Sequence, residues 1–158
     1  TAGFGVDFAA MSEGFQKACC IERSQELCSI ISHNLSAMGR SNFEAICADS
    51  ADFITKATER FSCIFLDPAR RDSHGGKIFH IKDCEPNAVE IQDRIMEVAD
   101  YAIIKLSPML DISECLNKLR NVAEIHIVAT AGECKEMLAV LSSKEIVSPI
   151  KILKKTVE

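Results

Sequence analysis

Residues 61–68 read FSCIFLDP, and the fold turns on how this octet is taken. From Phe61 to Leu66 the run is apolar except for Ser62. A strand with one wet face alternates, whereas a near-continuous apolar run suits a strand covered on both faces, as in a parallel sheet with helices on either side. The run stops at Asp67-Pro68, because proline has no N–H to give to a ladder. A polar loop follows from Ala69 to about Lys82 and contains Gly75-Gly76.

Working outward, the pattern alternates between strand and helix. Upstream, Val6 to Glu13 reads as a short helix opening at a glycine turn, and Ala18 to Ile21 as a strand with Glu22 at its end. Ser24 to Met38 carries apolar residues at Leu27, Ile30, Ile31, Leu35 and Met38, a helical spacing with Ser24 as N-cap and Gly39 as the stop. Phe43 to Cys47 is a strand that leads to Asp49, and Ser50 to Thr58 is a short helix. Downstream, Asn87 to Val98 reads as a helix and Tyr101 to Leu106 as a strand that ends at Ser107-Pro108. Asp111 caps a helix to Leu119, and Glu124 to Thr130 is again a strand. Cys134 to Leu141 suits either a helix or the second arm of a hairpin; the turn chemistry of Ala131-Gly132 favours the hairpin. Ile146 to Leu153 reads as the last strand. This order predicts a mostly parallel sheet between helices, with an antiparallel edge at the C-terminus.

The 158 residues suffice for one domain that buries roughly two thirds of its unfolded surface. With 47% hydrophobic and 26% charged residues, the composition is that of a folded globular chain. No apolar run approaches the roughly 18–20 residues that a membrane span needs. The eight cysteines include no Cys-x-x-Cys pair, so they read as reduced thiols packed as small hydrophobes, which points to the cytoplasm. No metal-ligand spacing is present either, and we expect no metal. A net charge of −5 supplies no general field for nucleic acid. Attraction to any nucleic acid would have to come from local groups such as Arg70, Arg71 and Lys77, or from another domain. Lys151, Lys154 and Lys155 read as a solvated strand edge.

In a doubly wound sheet, ligands bind beyond the C-terminal ends of the strands. Four features fall there. Gly3 and Gly5 form a turn in which absent side chains let backbone N–H groups approach a ligand. Glu22 can accept both hydroxyls of a ribose. Asp49 can accept from an adenine edge, and Asp67-Pro68 faces the middle of the crevice. Together they specify a pocket for an adenosine-containing cofactor. A dinucleotide would want a third glycine at position 8, where this chain has Phe8; S-adenosylmethionine, which has no phosphates, does not.

The stretches TAGFGVD, IER, ADSADF, IFLDPARRDSHGGK, IIKLSPMLD and HIVATAGECKEML resemble the class I S-adenosylmethionine-dependent methyltransferases over nearly the whole chain. More narrowly, they resemble a bacterial subfamily that carries a THUMP-like domain. The resemblance implies a Rossmann-like three-layer αβα sandwich and a methyltransferase domain over residues 1–158. It implies that Gly3 and Gly5 lie under the methionine part of the cofactor, that Glu22 binds the ribose, and that Asp49, Ser50 and Ala51 lie by the adenine. Asp67 and Pro68 would line the meeting point of methyl donor and acceptor, with Asp67 orienting or deprotonating the acceptor. Arg70, Arg71, Lys105 and Ser107 would border the substrate. Relatives that act on exocyclic amines of DNA have a second proline and an aromatic after the acid-proline step; Ala69 and Arg70 stand there instead, which is closer to RNA-modifying relatives. The competing readings are a nucleotide-dependent oxidoreductase and a non-catalytic cofactor-binding module.

The glycine turn of TAGFGVD normally follows a buried strand, and this chain opens on it. We therefore expect a fragment of a longer, multidomain protein, truncated ahead of the first strand of the sheet. Such a piece alone should bind its cofactor poorly and expose an unpaired strand edge.

Overall fold

The computed structural model describes residues 1–69, 80–146 and 150–157. Arg70, Arg71, His74, Gly75, Gly76 and Lys77 lie outside the described residues. The chain divides into two units, Thr1–Lys56 and Ala57–Glu158.

The first unit holds α1 (Val6–Met11), a 3-10 turn (Ser12–Gly14), β1 (Ala18–Glu22), α2 (Gln25–Ala37), β2 (Phe43–Cys47) and α3 (Ser50–Lys56). β1 and β2 pair in parallel, from Ala18 opposite Phe43 to Glu22 opposite Cys47. The connection between them is α2, as parallel strands require. Ser24 starts this helix with its side chain, which accepts from the Leu27 N–H at 3.3 Å. Gly39, at φ 72°, ends it: the Gly39 N–H donates to the Ser36 carbonyl and the Arg40 N–H to the Leu35 carbonyl, both at 3.0 Å. The unit is organised around buried Cys20, Ile31 and Leu35, against which Ala2, Phe8, Ala9, Phe43 and Ala45 pack.

The second unit is built on β3 (Phe61–Leu66), β4 (Ala99–Leu106), β5 (Val122–Thr130), β6 (Glu133–Ser142) and β7 (Lys151–Val157), with α4 (Ala88–Val98) and α5 (Ile112–Lys118) in the connections. The strand order is β3-β4-β6-β5-β7. β3 pairs in parallel with β4, and β5 with β7. β6 is antiparallel to both of its neighbours.

The ambiguous segment 134–141 is thus a strand. Its hairpin turns at Ala131 (φ 48°) and Gly132 (φ 79°), the two positive φ values that match a tight turn to the twist of its strands. The expected antiparallel strand is present, but it lies between β4 and β5, and the edge strand β7 runs parallel. The last strand begins at Lys151 rather than Ile146. Pro149 offers no ladder donor, and pairing starts two residues after it.

One sheet face carries Ala102, Ile104, Leu106, Ile125, Met137, Ala139 and Leu141, all buried. α4 packs on β4 and buries Ala88, Ile95, Met96 and Val98, together with one polar residue, Gln92. Gln92 is fully bonded. Its Nε2 donates to the carbonyls of Val89 (2.9 Å) and Lys118 (3.1 Å), and its Oε1 accepts from the Arg120 N–H at 2.7 Å. It ties α4 to the end of α5.

All eight cysteines are free. Cys20, Cys28 and Cys115 are buried as expected, whereas Cys47 and Cys134 are exposed. Both belong to strands, but an apolar run on an open face still presents alternate side chains to water.

Candidate functional site

In the first unit, the turn before α1 and the end of β1 meet at Glu22. The Gly3 N–H donates to Glu22 Oε2 at 2.9 Å, and the Ser24 N–H to Oε1 at 3.0 Å. Partial burial raises the carboxyl pKa, but these backbone hydrogen bonds outweigh it and hold Glu22 below the usual carboxylate range. Each carboxylate oxygen has two lone pairs, so both retain acceptor capacity for hydroxyl donors.

The two glycines of the turn do different things. A side chain at Gly3 (φ 55°) would meet nothing within 4 Å. At Gly5 (φ 79°), a Cβ would come within 3.2 Å of Ile31 Cγ1 and Cγ2. Gly5 is therefore what lets α1 lie against the buried Ile31 of α2, and the open space is over Gly3. Phe8, on α1, packs onto the same core. A dinucleotide fold uses glycine at this position for close packing.

Asp49 has a definite local task. Its Oδ1 accepts from the N–H groups of Ala51 (2.9 Å) and Asp52 (3.0 Å), capping α3. The Ala51 N–H is committed to that cap. Ser50 opens the helix half-buried, and Asp49 is exposed.

In the second unit, Asp67 and the buried Pro68 directly follow β3. Lys105, near the end of β4, brings its ammonium to Asp67 Oδ2 at 3.2 Å and to Glu136 Oε1, on β6, at 3.1 Å. The Lys105 side chain is only 13% exposed. Ser107 forms the turn after β4: its Oγ accepts from the Met109 N–H at 3.2 Å, and its carbonyl from the Leu110 N–H at 3.1 Å. Asp67, Lys105 and Glu136 thus form one charged corner at the strand ends, with Ser107 two residues beyond Lys105 in sequence.

The sequence profile of a family described as conserved hypothetical protein 95 matches residues 2–80, half of the chain. The chain belongs to this family. Among solved structures, this member of the conserved hypothetical protein 95 family is similar to a proposed methyltransferase from Porphyromonas gingivalis W83. The two are 27% identical with a TM-score of 0.78, over 100% of this chain and 41% of that one. The chain therefore spans well under half of that protein. An rRNA methylase from Streptococcus thermophilus is 17% identical with a TM-score of 0.62, over 92% of this chain and 85% of that one. A proposed methyltransferase from Streptococcus mutans, solved in complex with SAH, is 12% identical with a TM-score of 0.62, over 90% and 84% of the two chains. These two likenesses concern the fold alone. The fold is thus the Rossmann-like α/β fold of methyltransferases. No curated protein matches the chain.

Glu136 escaped the sequence reading, because an acid within a strand gives no signal until the hairpin register is known. The exposed lysines Lys151, Lys154 and Lys155 do lie on the edge strand β7. His33 is exposed, and His126 Nε2 pairs with Glu124 Oε2 at 2.9 Å. Among the described residues, no three His, Cys, Asp or Glu side chains converge as metal ligands. No described helix is long and apolar enough to cross a membrane.

Proposed function

We propose that residues 1–158 form an S-adenosylmethionine-dependent methyltransferase domain that acts on RNA in the cytoplasm. The observation that carries this reading is Glu22, a carboxylate held by the Gly3 and Ser24 N–H groups beside the open space over Gly3. Those residues fit an adenosine cofactor without phosphates: they offer acceptors for ribose hydroxyls and room over the turn, and Phe8 stands where a pyrophosphate-binding motif has glycine. The cofactor, when bound, supplies a methyl group already activated on a sulfonium, which leaves alignment and proton handling to the protein.

In this reading, Gly3 and Gly5 shape the turn beneath the methionine part, and Glu22 accepts from the ribose. Asp49, Ser50 and Ala51 lie by the adenine, with Asp49 also fixing the start of α3. Asp67 orients the acceptor or takes its proton, and Pro68 stiffens that step. Lys105 and Ser107 border the acceptor, and Arg70 and Arg71 contact the RNA through phosphate or base stacking. The LDPARR and KLSPMLD motifs support the narrower subfamily with a THUMP-like domain, and the span of 41% of the Porphyromonas gingivalis relative leaves room for further domains.

The test is transfer of labelled methyl from S-adenosylmethionine to RNA from cells that lack the gene. We expect wild-type protein to label that RNA and Asp67→Ala to lose at least about 100-fold in kcat, the scale of a lost general base. An Asp67→Ala protein as active as wild type would remove Asp67 from the chemistry.

A further inference from the structure

Lys105 is bracketed by two carboxylates from different strands, and the register explains how. Leu66 is opposite Ile104 in the β3–β4 pairing, so Asp67 follows beside Lys105. Lys105 is opposite Leu138 in the β4–β6 pairing. Glu136 lies two residues before Leu138 on the same face of β6, the diagonal neighbour of Lys105 and within reach of a long side chain. The antiparallel direction of β6 places Glu136 toward the end of β4, on the side where Asp67 stands.

We propose that Glu136 is a positioning residue for the Asp67 carboxylate, acting through Lys105. This rests on the methyltransferase reading. A lysine has four rotatable bonds, and one exposed carboxylate seldom fixes it, since ordering such a side chain costs entropy that a single exposed ion pair does not offset. Two acceptors at 3.2 and 3.1 Å, around a side chain only 13% exposed, hold the ammonium at one point. The held ammonium takes Asp67 Oδ2 and so sets the orientation of the carboxylate. Lys105 also separates two like charges that would otherwise share the corner. Glu136 touches neither acceptor nor cofactor in this scheme.

Two readouts test it on the full-length protein: the rate at which an amine-acylating reagent labels Lys105, followed by mass spectrometry, and the steady-state kinetics of RNA methylation. Glu136→Ala is expected to speed Lys105 labelling several-fold. It should lower kcat by about 10- to 100-fold, the scale of a displaced catalytic group, and leave KM for RNA and the affinity for S-adenosylhomocysteine within about twofold of wild type. Glu136→Gln keeps the shape and one acceptor oxygen, so it should fall between, and it carries the test if the alanine variant does not fold. An active wild type with Lys105 labelling and kcat unchanged in both variants would overturn the role of Glu136 and leave the methyltransferase reading intact. So would a loss spread equally over kcat, KM and cofactor affinity, which marks general damage. A wild type that methylates no RNA would overturn the underlying reading, and this role with it.

Discussion

At Glu22, the backbone N–H groups of Gly3 and Ser24 grip the carboxylate, one on each oxygen. Because the folded state holds Glu22 below its ordinary value of 4.5, its stabilising effect is fully present above that value and disappears as the pH falls through the lowered one. Acid unfolding followed by circular dichroism should therefore show wild type and Glu22→Gln fully separated in stability above pH 4.5 and converging as the pH falls below it through the lowered value. The glycines offer a second test. Gly5→Ala combines a positive φ with a Cβ 3.2 Å from Ile31, and we expect a loss of about 1–3 kcal/mol in urea unfolding. Gly3→Ala meets open space and should lose less stability. The spacing of Gly3, Gly5 and Glu22 was legible in the sequence; which glycine faces open space was not, since that depends on where Ile31 packs. Asp49 shows the opposite limit. An acid between a strand and a helix reads equally as a ligand and as a cap, and the structure supplies the cap.

The elements themselves were largely legible because their stop signals are local. Phe61–Leu66 and Phe43–Cys47 have the bounds expected from the sequence, and Ser24, Asn87 and Asp111 each cap the following helix. Pairing partners were not, because register and strand order are decided between distant segments. The antiparallel β6 therefore ended up inside the sheet, and Glu136 beside Lys105. Gln92 was equally silent: on a helical pattern it is a polar residue at a core position, yet it bridges α4 to Lys118 and Arg120. Gln92→Leu would take away the part-buried partner of the Val89 and Lys118 carbonyls and of the Arg120 N–H. The expected cost is about 1–3 kcal/mol, seen as a lower urea midpoint with an unchanged m-value.

On the scale of the whole chain, each unit contains one parallel strand pair joined through a helix, β1–α2–β2 and β3–α4–β4, with an acid, Glu22 or Asp67, at or just past the C-terminal end of its first strand. That is where open α/β sheets place their ligands, and it is why a chain with net charge −5 is read here through its strand ends and not through its overall field. Membership of the conserved hypothetical protein 95 family and the shared fold fit this picture; the identity of the cofactor is the point on which the account stands. Calorimetric titration of the full-length protein with S-adenosylhomocysteine, and separately with NADH, tests it most directly. We expect S-adenosylhomocysteine to bind with a dissociation constant on the order of micromolar and NADH not to bind. Glu22→Gln should weaken the former by about 10- to 100-fold, the value of a charge-assisted hydrogen bond. Binding of NADH without binding of S-adenosylhomocysteine would contradict the account.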